Sequence, residues 1–201
     1  MKKSNFVLAE TFYKFREKPK WLVNMILCIV LELIIVWILM STTSESDTLT
    51  EEQGISDPNN EMLTNFVKVL EYIIPGLSVI LGIVMSSIIF LIISKLMKSD
   101  VKVSSLFAAT TFITLIFTII DLIVVSIQAL FKLDPEQYSI TSLAVFDQDN
   151  IYLGVFDLGI LIEGYLIAIL LYETSRLSGK ASIIWSVVMV VISIIISLII
   201  A

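Results

Sequence analysis

Five apolar runs, each near the length of a bilayer-spanning helix, restrict this chain more than anything else in it. They cover about residues 21–40, 73–97, 104–131, 151–172 and 181–201. Crossing a hydrocarbon core of about 30 Å takes about 20 apolar helical residues, because every backbone N–H and C=O must be paired inside the segment. The composition agrees: 57% of the 201 residues are hydrophobic and 16% charged, with a mean hydropathy of +0.96, outside the balance of a soluble domain. The expected fold is all-α: a polytopic bundle of five transmembrane helices over residues 21–201, with outer loops at 41–72 and 132–150. Residues 1–20 form a cytoplasmic amphipathic segment before it.

The first run is too long for the apolar part of a secretory signal and lacks a small-x-small cleavage site before Thr42, so it reads as a retained anchor. Orientation follows Lys and Arg rather than net charge. Lys2, Lys3, Lys14, Arg16, Lys18 and Lys20 precede the first run; Lys95, Lys98 and Lys102 follow the second; Arg176 and Lys180 follow the fourth. Only Lys68 and Lys132 fall on the other side. That alternation predicts an odd number of crossings, with the N-terminus in the cytoplasm and the C-terminus outside. The single cysteine, Cys28, lies within the first run and reads as a small core residue.

Residues 4–18, "SNFVLAETFYKFREK", place Leu8, Phe12 and Phe15 at helical spacing among Lys and Arg, and Pro19 ends the pattern. Two readings are open. Phe12, Phe15, Arg16, Lys18, Lys20 and Trp21 anchor a helix on the membrane surface, aromatics at headgroup level and cations on anionic lipid; or the helix packs against the cytoplasmic loops. The loop "STTSESDTLTEEQGISDPNN" is acidic and polar, a solvated connection that agrees with the orientation. Helical patterning resumes at Glu61 after a start signal at Asp57 and Pro58. Residues 61–72 then either lie flat on the outer surface or extend the second span, with Pro75 and Gly76 at its mouth. Within that span, Gly82 and Ser86 form a small-xxx-small pair for close helix packing, either within the chain or between copies. Ser87, Thr110, Thr111, Thr114 and Thr118 add donors between helices.

Four acids lie inside the runs: Glu32, Asp121, Asp157 and Glu163. No run carries Lys, Arg or His at its centre. At about 1.5 Å per residue they fall about 9 to 18 Å below the outer surface, one polar layer if the helices adjoin. A charged carboxylate in hydrocarbon costs several kcal/mol, so each is protonated, or paired and hydrated. The layer is either a cavity for protons or cations, open to the outside, or a structural cluster bonded to hydroxyls and carbonyls.

Enzymatic chemistry has little to stand on. The absence of histidine removes His-based triads and HExxH zinc sites. No glycine-rich phosphate loop precedes a helix, and the basic residues form no nucleic-acid face. "DQDN" at 147–150 lacks the central Gly and closing Glu of a calcium loop. Asp121 and Asp157 imitate the pair of an intramembrane aspartyl protease without its glycine environment. No cofactor and no metal is expected.

The "FYKFREKPKWLVNMIL" stretch at 12–27 and the closing block "IYLGVFDLGILIEGYLIAILLYETSRLSGKASIIWSVVMVVISII", with Phe156, Gly164, Ser178, Lys180 and Ala181 in order, resemble the Yip1 family in its short bacterial form. The long Pro/Gln/Tyr-rich cytoplasmic region of eukaryotic members is missing, and with it the ground for a Rab-GTPase partner. The resemblance implies a noncatalytic protein of a bacterial plasma membrane that works through partners: the bilayer, another integral membrane protein such as an ABC exporter, or a second copy. Three roles follow in order: accessory or scaffold subunit, small proton- or cation-coupled transporter or channel using the acid layer, and intramembrane enzyme.

Overall fold

A computed structural model of the chain describes residues 6–43, 61–133, 140–147 and 150–200. Lys2 and Lys3, the acidic loop with its start signal at Asp57 and Pro58, and part of "DQDN" lie outside the described residues. Helix α1 is Ala9–Glu17, α2 Leu22–Thr43, α3 Glu61–Leu96 and α4 Val103–Phe131. A 3₁₀ turn, Leu143–Phe146, leads to α5, Ile151–Val155; α6, Leu158–Ile169, runs into a π turn, Leu170–Thr174; and α7 is Gly179–Ile200. Among the described residues, four helices are long and apolar enough to cross a membrane: α2, α3 from Tyr72, α4 and α7.

The fourth run does not form one spanning helix, because its chain breaks at Phe156 and Asp157. The Asp157 carboxylate caps α6 by accepting from Gly159 N–H at 2.5 Å, which satisfies a donor that has no partner within the helix. The backbone around it is taken up by another segment: Ser142 and Asp157 form an isolated antiparallel bridge, Leu143 N–H donates to Phe156 O and Leu158 N–H to Thr141 O, both at 3.0 Å. What remains is a 12-residue helix and a 5-residue π turn, about 25 Å at 1.5 Å per residue. Residues 61–72 are helical and continuous with the second run, since α3 extends from Glu61 through Pro75 to Leu96, its membrane-length stretch beginning at Tyr72.

Helix α4 is the centre of the bundle, packing on α1, α2, α3 and α6. Its first half is buried on nearly every side, with Ser105, Leu106, Ala108, Ala109, Thr110 and Thr111 all covered; small residues there let four neighbours approach. Helix α3 instead buries one seam, Ile83, Ser87, Phe90 and Ser94, at the spacing of a single helical stripe. Four hydroxyls of α3 and α4 turn back on their own helices. Ser87 donates to Ile83 O, Thr110 to Leu106 O, Thr111 to Phe107 O and Thr118 to Thr114 O, at 2.7 to 3.0 Å. That choice satisfies each group without a partner from a neighbouring helix.

Three helix ends stop on a left-handed residue that is not glycine: Lys98 (φ 58), Lys132 (φ 53) and Arg176 (φ 55). Each turn closes the carbonyls left open at a helix end. Leu133 N–H reaches Gln128 O at 2.9 Å, Ser99 N–H reaches Ser94 O at 2.9 Å, and Leu177 N–H reaches Leu171 O at 3.0 Å.

Candidate functional site

Three of the four intramembrane acids come together. Helices α2 and α4 run parallel, in register through the edge-to-face pair of Trp21 and Phe107, 5.3 Å between centroids, and the approach of Cys28 Sγ to Thr111 O at 3.7 Å. That register carries Glu32 to the level of Asp121, near enough for the charge of one to act on the other. Asp121 is likewise within reach of the charge of Asp157, at the start of α6. Besides Gly159 N–H, Asp157 accepts from Thr141 Oγ1 at 2.6 Å. Glu163 lies further along α6, half-buried and outside this electrostatic group. Asp157, by contrast, is committed to capping α6. Among the described residues no Lys or Arg pairs with these acids; the ion pairs there are Lys14 with Glu10 and Arg16 with Asp100. No three of the described His, Cys, Asp and Glu residues are grouped to hold a metal ion.

A second polar centre lies where α1 crosses the ends of α4 and the π turn. Phe12 and Phe15 face into the protein and not onto lipid headgroups. Both rings pack on Phe112, at 5.7 and 5.4 Å, and Phe12 is wholly buried. The Arg16 side chain, 12% exposed, forks: one nitrogen donates to Thr174 O at 2.7 Å and the other to Asp100 Oδ1 at 2.5 Å. Guanidinium suits this task because its rigid fork reaches two acceptors in one plane. The Arg16 hydrogen bond and its charge hold the Asp100 carboxyl below the usual carboxylate range.

Hydroxyls complete the clamp. Thr174 Oγ1 donates to Phe12 O at 3.0 Å, Ser105 Oγ to Arg16 O at 3.2 Å, Ser99 Oγ to Ser175 O at 2.5 Å and Ser94 Oγ to Ser175 Oγ at 2.8 Å. A π turn widens the backbone ladder and frees carbonyls for such partners, and π turns are frequent at functional positions. The sequence left Arg16 between a membrane-surface anchor and a helix packed on the cytoplasmic loops, and singled out none of Thr174, Ser175 and Asp100. Two signals pointed to them: the polar "YETS" closing an apolar run, and Arg16 as the lone arginine among the basic residues before the first span. Of the other surface-anchor residues, Lys18 and Lys20 are exposed, and Trp21 is half-buried against α4.

The glycines divide differently from expectation. No atom of the described residues lies within 4 Å of where a Cβ on Gly82 would stand, so among them this position brings no other helix close. Gly164 does. A Cβ there would meet Val190 Cγ2 at 2.9 Å, and Ser186 Oγ donates to its carbonyl. The α6–α7 contact, not α3, is where a missing side chain permits close packing.

Compared with known proteins, the chain matches the family model described as the Yip1 domain over residues 7–201. No curated protein and no solved structure gave a match.

Proposed function

Because this chain belongs to the Yip1 family, we propose that it acts without catalysis, as an accessory or scaffold subunit that holds another integral membrane protein through helix–helix contacts. The observation that carries this reading is the open face of α3. Gly82 is exposed, with no atom of the described residues near its Cβ position, while the seam from Ile83 to Ser94 is already occupied. In lipid, where apolar area alone gives no drive to associate, such a small-residue surface lets a second backbone come close. An ABC exporter is the partner class that the family resemblance suggests. The proposed setting is a bacterial plasma membrane with α1 in the cytoplasm. A fourth crossing made by α6 and its π turn brings the total to five.

The test is affinity purification in mild detergent, with mass spectrometry of what accompanies the wild type and a Gly82→Leu variant. A stoichiometric membrane protein that is lost with Gly82→Leu supports the reading; a wild-type protein that comes down alone sinks it. The acid layer favours a second reading, a small transporter coupled to protons or cations through Glu32 and Asp121, which form no ion pair among the described residues. Flux into liposomes that Glu32→Gln and Asp121→Asn abolish, while the fold survives, would replace the first reading with this one.

A further inference from the structure

Helix α6 is shorter than the helices beside it, and its register on them shows by how much. Its Gly164 is level with Ser186 and Val190 of the antiparallel α7, so Leu158 is level with roughly residue 194, and α7 runs about 10 Å past it. On the other side, a Cβ on Gly159 would lie 3.7 Å from Phe117 Cε1, and α4 continues about 20 Å beyond that ring to Phe131. With α4 and α7 both crossing a bilayer, the start of α6 is buried within the apolar slab. The segment on its N-terminal side, residues 140–147 and 150–157, occupies that missing depth, with α5 against α7.

Irregular backbone at such a depth survives only if its polar groups are satisfied within the protein, and a series of local bonds does this for much of the described segment. Beyond the bridge between Ser142 and Asp157, the Asn150 side chain accepts from Tyr152 N–H at 3.1 Å and Leu153 N–H at 3.4 Å. Ser142 Oγ accepts from Ala144 N–H at 3.1 Å, and Asp157 takes Gly159 N–H. The side chains go the opposite way. Phe146 is 83% exposed, Tyr152 73% and Phe156 62%, in continuity with the exposed apolar faces of α4 and α7. In water this would be a large bare aromatic patch; at the lipid boundary it is the composition expected of interfacial anchors.

We propose that residues 140–147 and 150–157 form a re-entrant hairpin immersed in one leaflet, its backbone closed on itself and Phe146, Tyr152 and Phe156 seated among lipid. The occupant of this surface is lipid of that leaflet, not a protein. Asp147, exposed at the tip, marks the headgroup level. This inference needs only that α4 and α7 span a membrane, and it stands whether or not the scaffold reading does.

Spin labels on single cysteines in nanodiscs test it, in a Cys28→Ser background carrying Phe146→Cys, Phe156→Cys, Ile195→Cys as lipid reference or Lys180→Cys as water reference. At 146 and 156, accessibility to oxygen is expected to exceed that to a nickel chelate, as at 195. Nickel accessibility equal to that at 180 overturns the proposal, and so does protection from both reagents, which would mean a protein cover. If the Cys28→Ser background fails to fold, Phe146→Trp with Cys28 retained gives the same answer by fluorescence. The added emission is expected to be lost in brominated-acyl lipid; loss to aqueous iodide instead overturns the hairpin.

Discussion

Arg16 shows how much one side chain can be asked to hold. It joins α1 to the π turn and to the loop between α3 and α4, and it spans 158 positions of sequence to reach Thr174. Arg16→Lys retains the charge but not the fork, so a loss of about 1–2 kcal/mol is expected from the bond to Thr174 O, read as a fall in unfolding temperature in detergent. The Asp100 contact behaves differently, being mostly exposed and therefore weak. Because folding lowers the Asp100 pKa, its contribution is present above its unfolded value of 3.8 and fades as pH falls through the lower folded value. Wild type and Asp100→Asn are thus expected to differ slightly in melting temperature near neutral pH and to converge in acid; divergence in acid would contradict the pairing. Asp157 has a plain structural duty as well. Asp157→Ala removes a cap and leaves Gly159 N–H open, at a cost of about 0.5–2 kcal/mol, with Asp157→Asn keeping most of it.

At the scale of helices, the two glycines make opposed predictions. Gly82→Ala adds a methyl in open space and replaces the least helical of ordinary residues, so it is expected to raise stability by up to about 1 kcal/mol. Gly164→Ala forces a methyl onto the stiff Val190 side chain and is expected to cost about 1–3 kcal/mol. Thermal unfolding of both variants decides this, and equal effects would contradict the α6–α7 contact. The helix ends offer a third test. Lys98 and Lys132 sit in the left-handed region without glycine's freedom, so Lys98→Gly is expected to be neutral or stabilising, by up to about 1 kcal/mol.

These helices were unequally legible. Hydropathy located α2, α4 and α7 within a few residues, since a run without breaks has one helical solution in lipid. It failed at Asp157 because averaging over an apolar window hides a single polar residue that caps rather than spans. The same averaging hid the candidate site: Glu32 and Asp121 were visible as acids in apolar surroundings, but their shared level depended on the register of α2 on α4. The small-xxx-small spacing at Gly82 left packing within the chain and packing on another chain both open, because spacing says nothing about which face is free.

For the whole molecule, the polar contacts divide between two ends, a clamp around Arg16 at one and a capped break at Asp157 toward the other, with apolar helix faces between them. The chain is an integral membrane protein by its apolar helices and its family. The alternation of basic residues adds a sidedness expectation that one experiment checks. Cysteines placed at Lys98 and Lys180 are expected to resist an impermeant thiol reagent in intact cells, and one at Phe131 to react; the reverse pattern would invert the molecule. The clamp's location was hidden from sequence for a physical reason, since its members come from α1, the α3–α4 loop, α4 and the π turn, and only the closed bundle unites them.

That union has a consequence for the order in which the protein is made. Helix α1 leaves the ribosome well before its partner, because the carbonyl that Arg16 binds belongs to residue 174, 158 positions later. Until the fourth run arrives, Phe12 and Phe15 have part of their packing on α4 but no π turn to lock it, and the Arg16 guanidinium has no carbonyl from that turn. A chain stalled before residue 174 therefore carries an undocked amphipathic helix on its surface. Arrival of the π turn would withdraw it, so docking of this helix reports that the chain through residue 174 has been built.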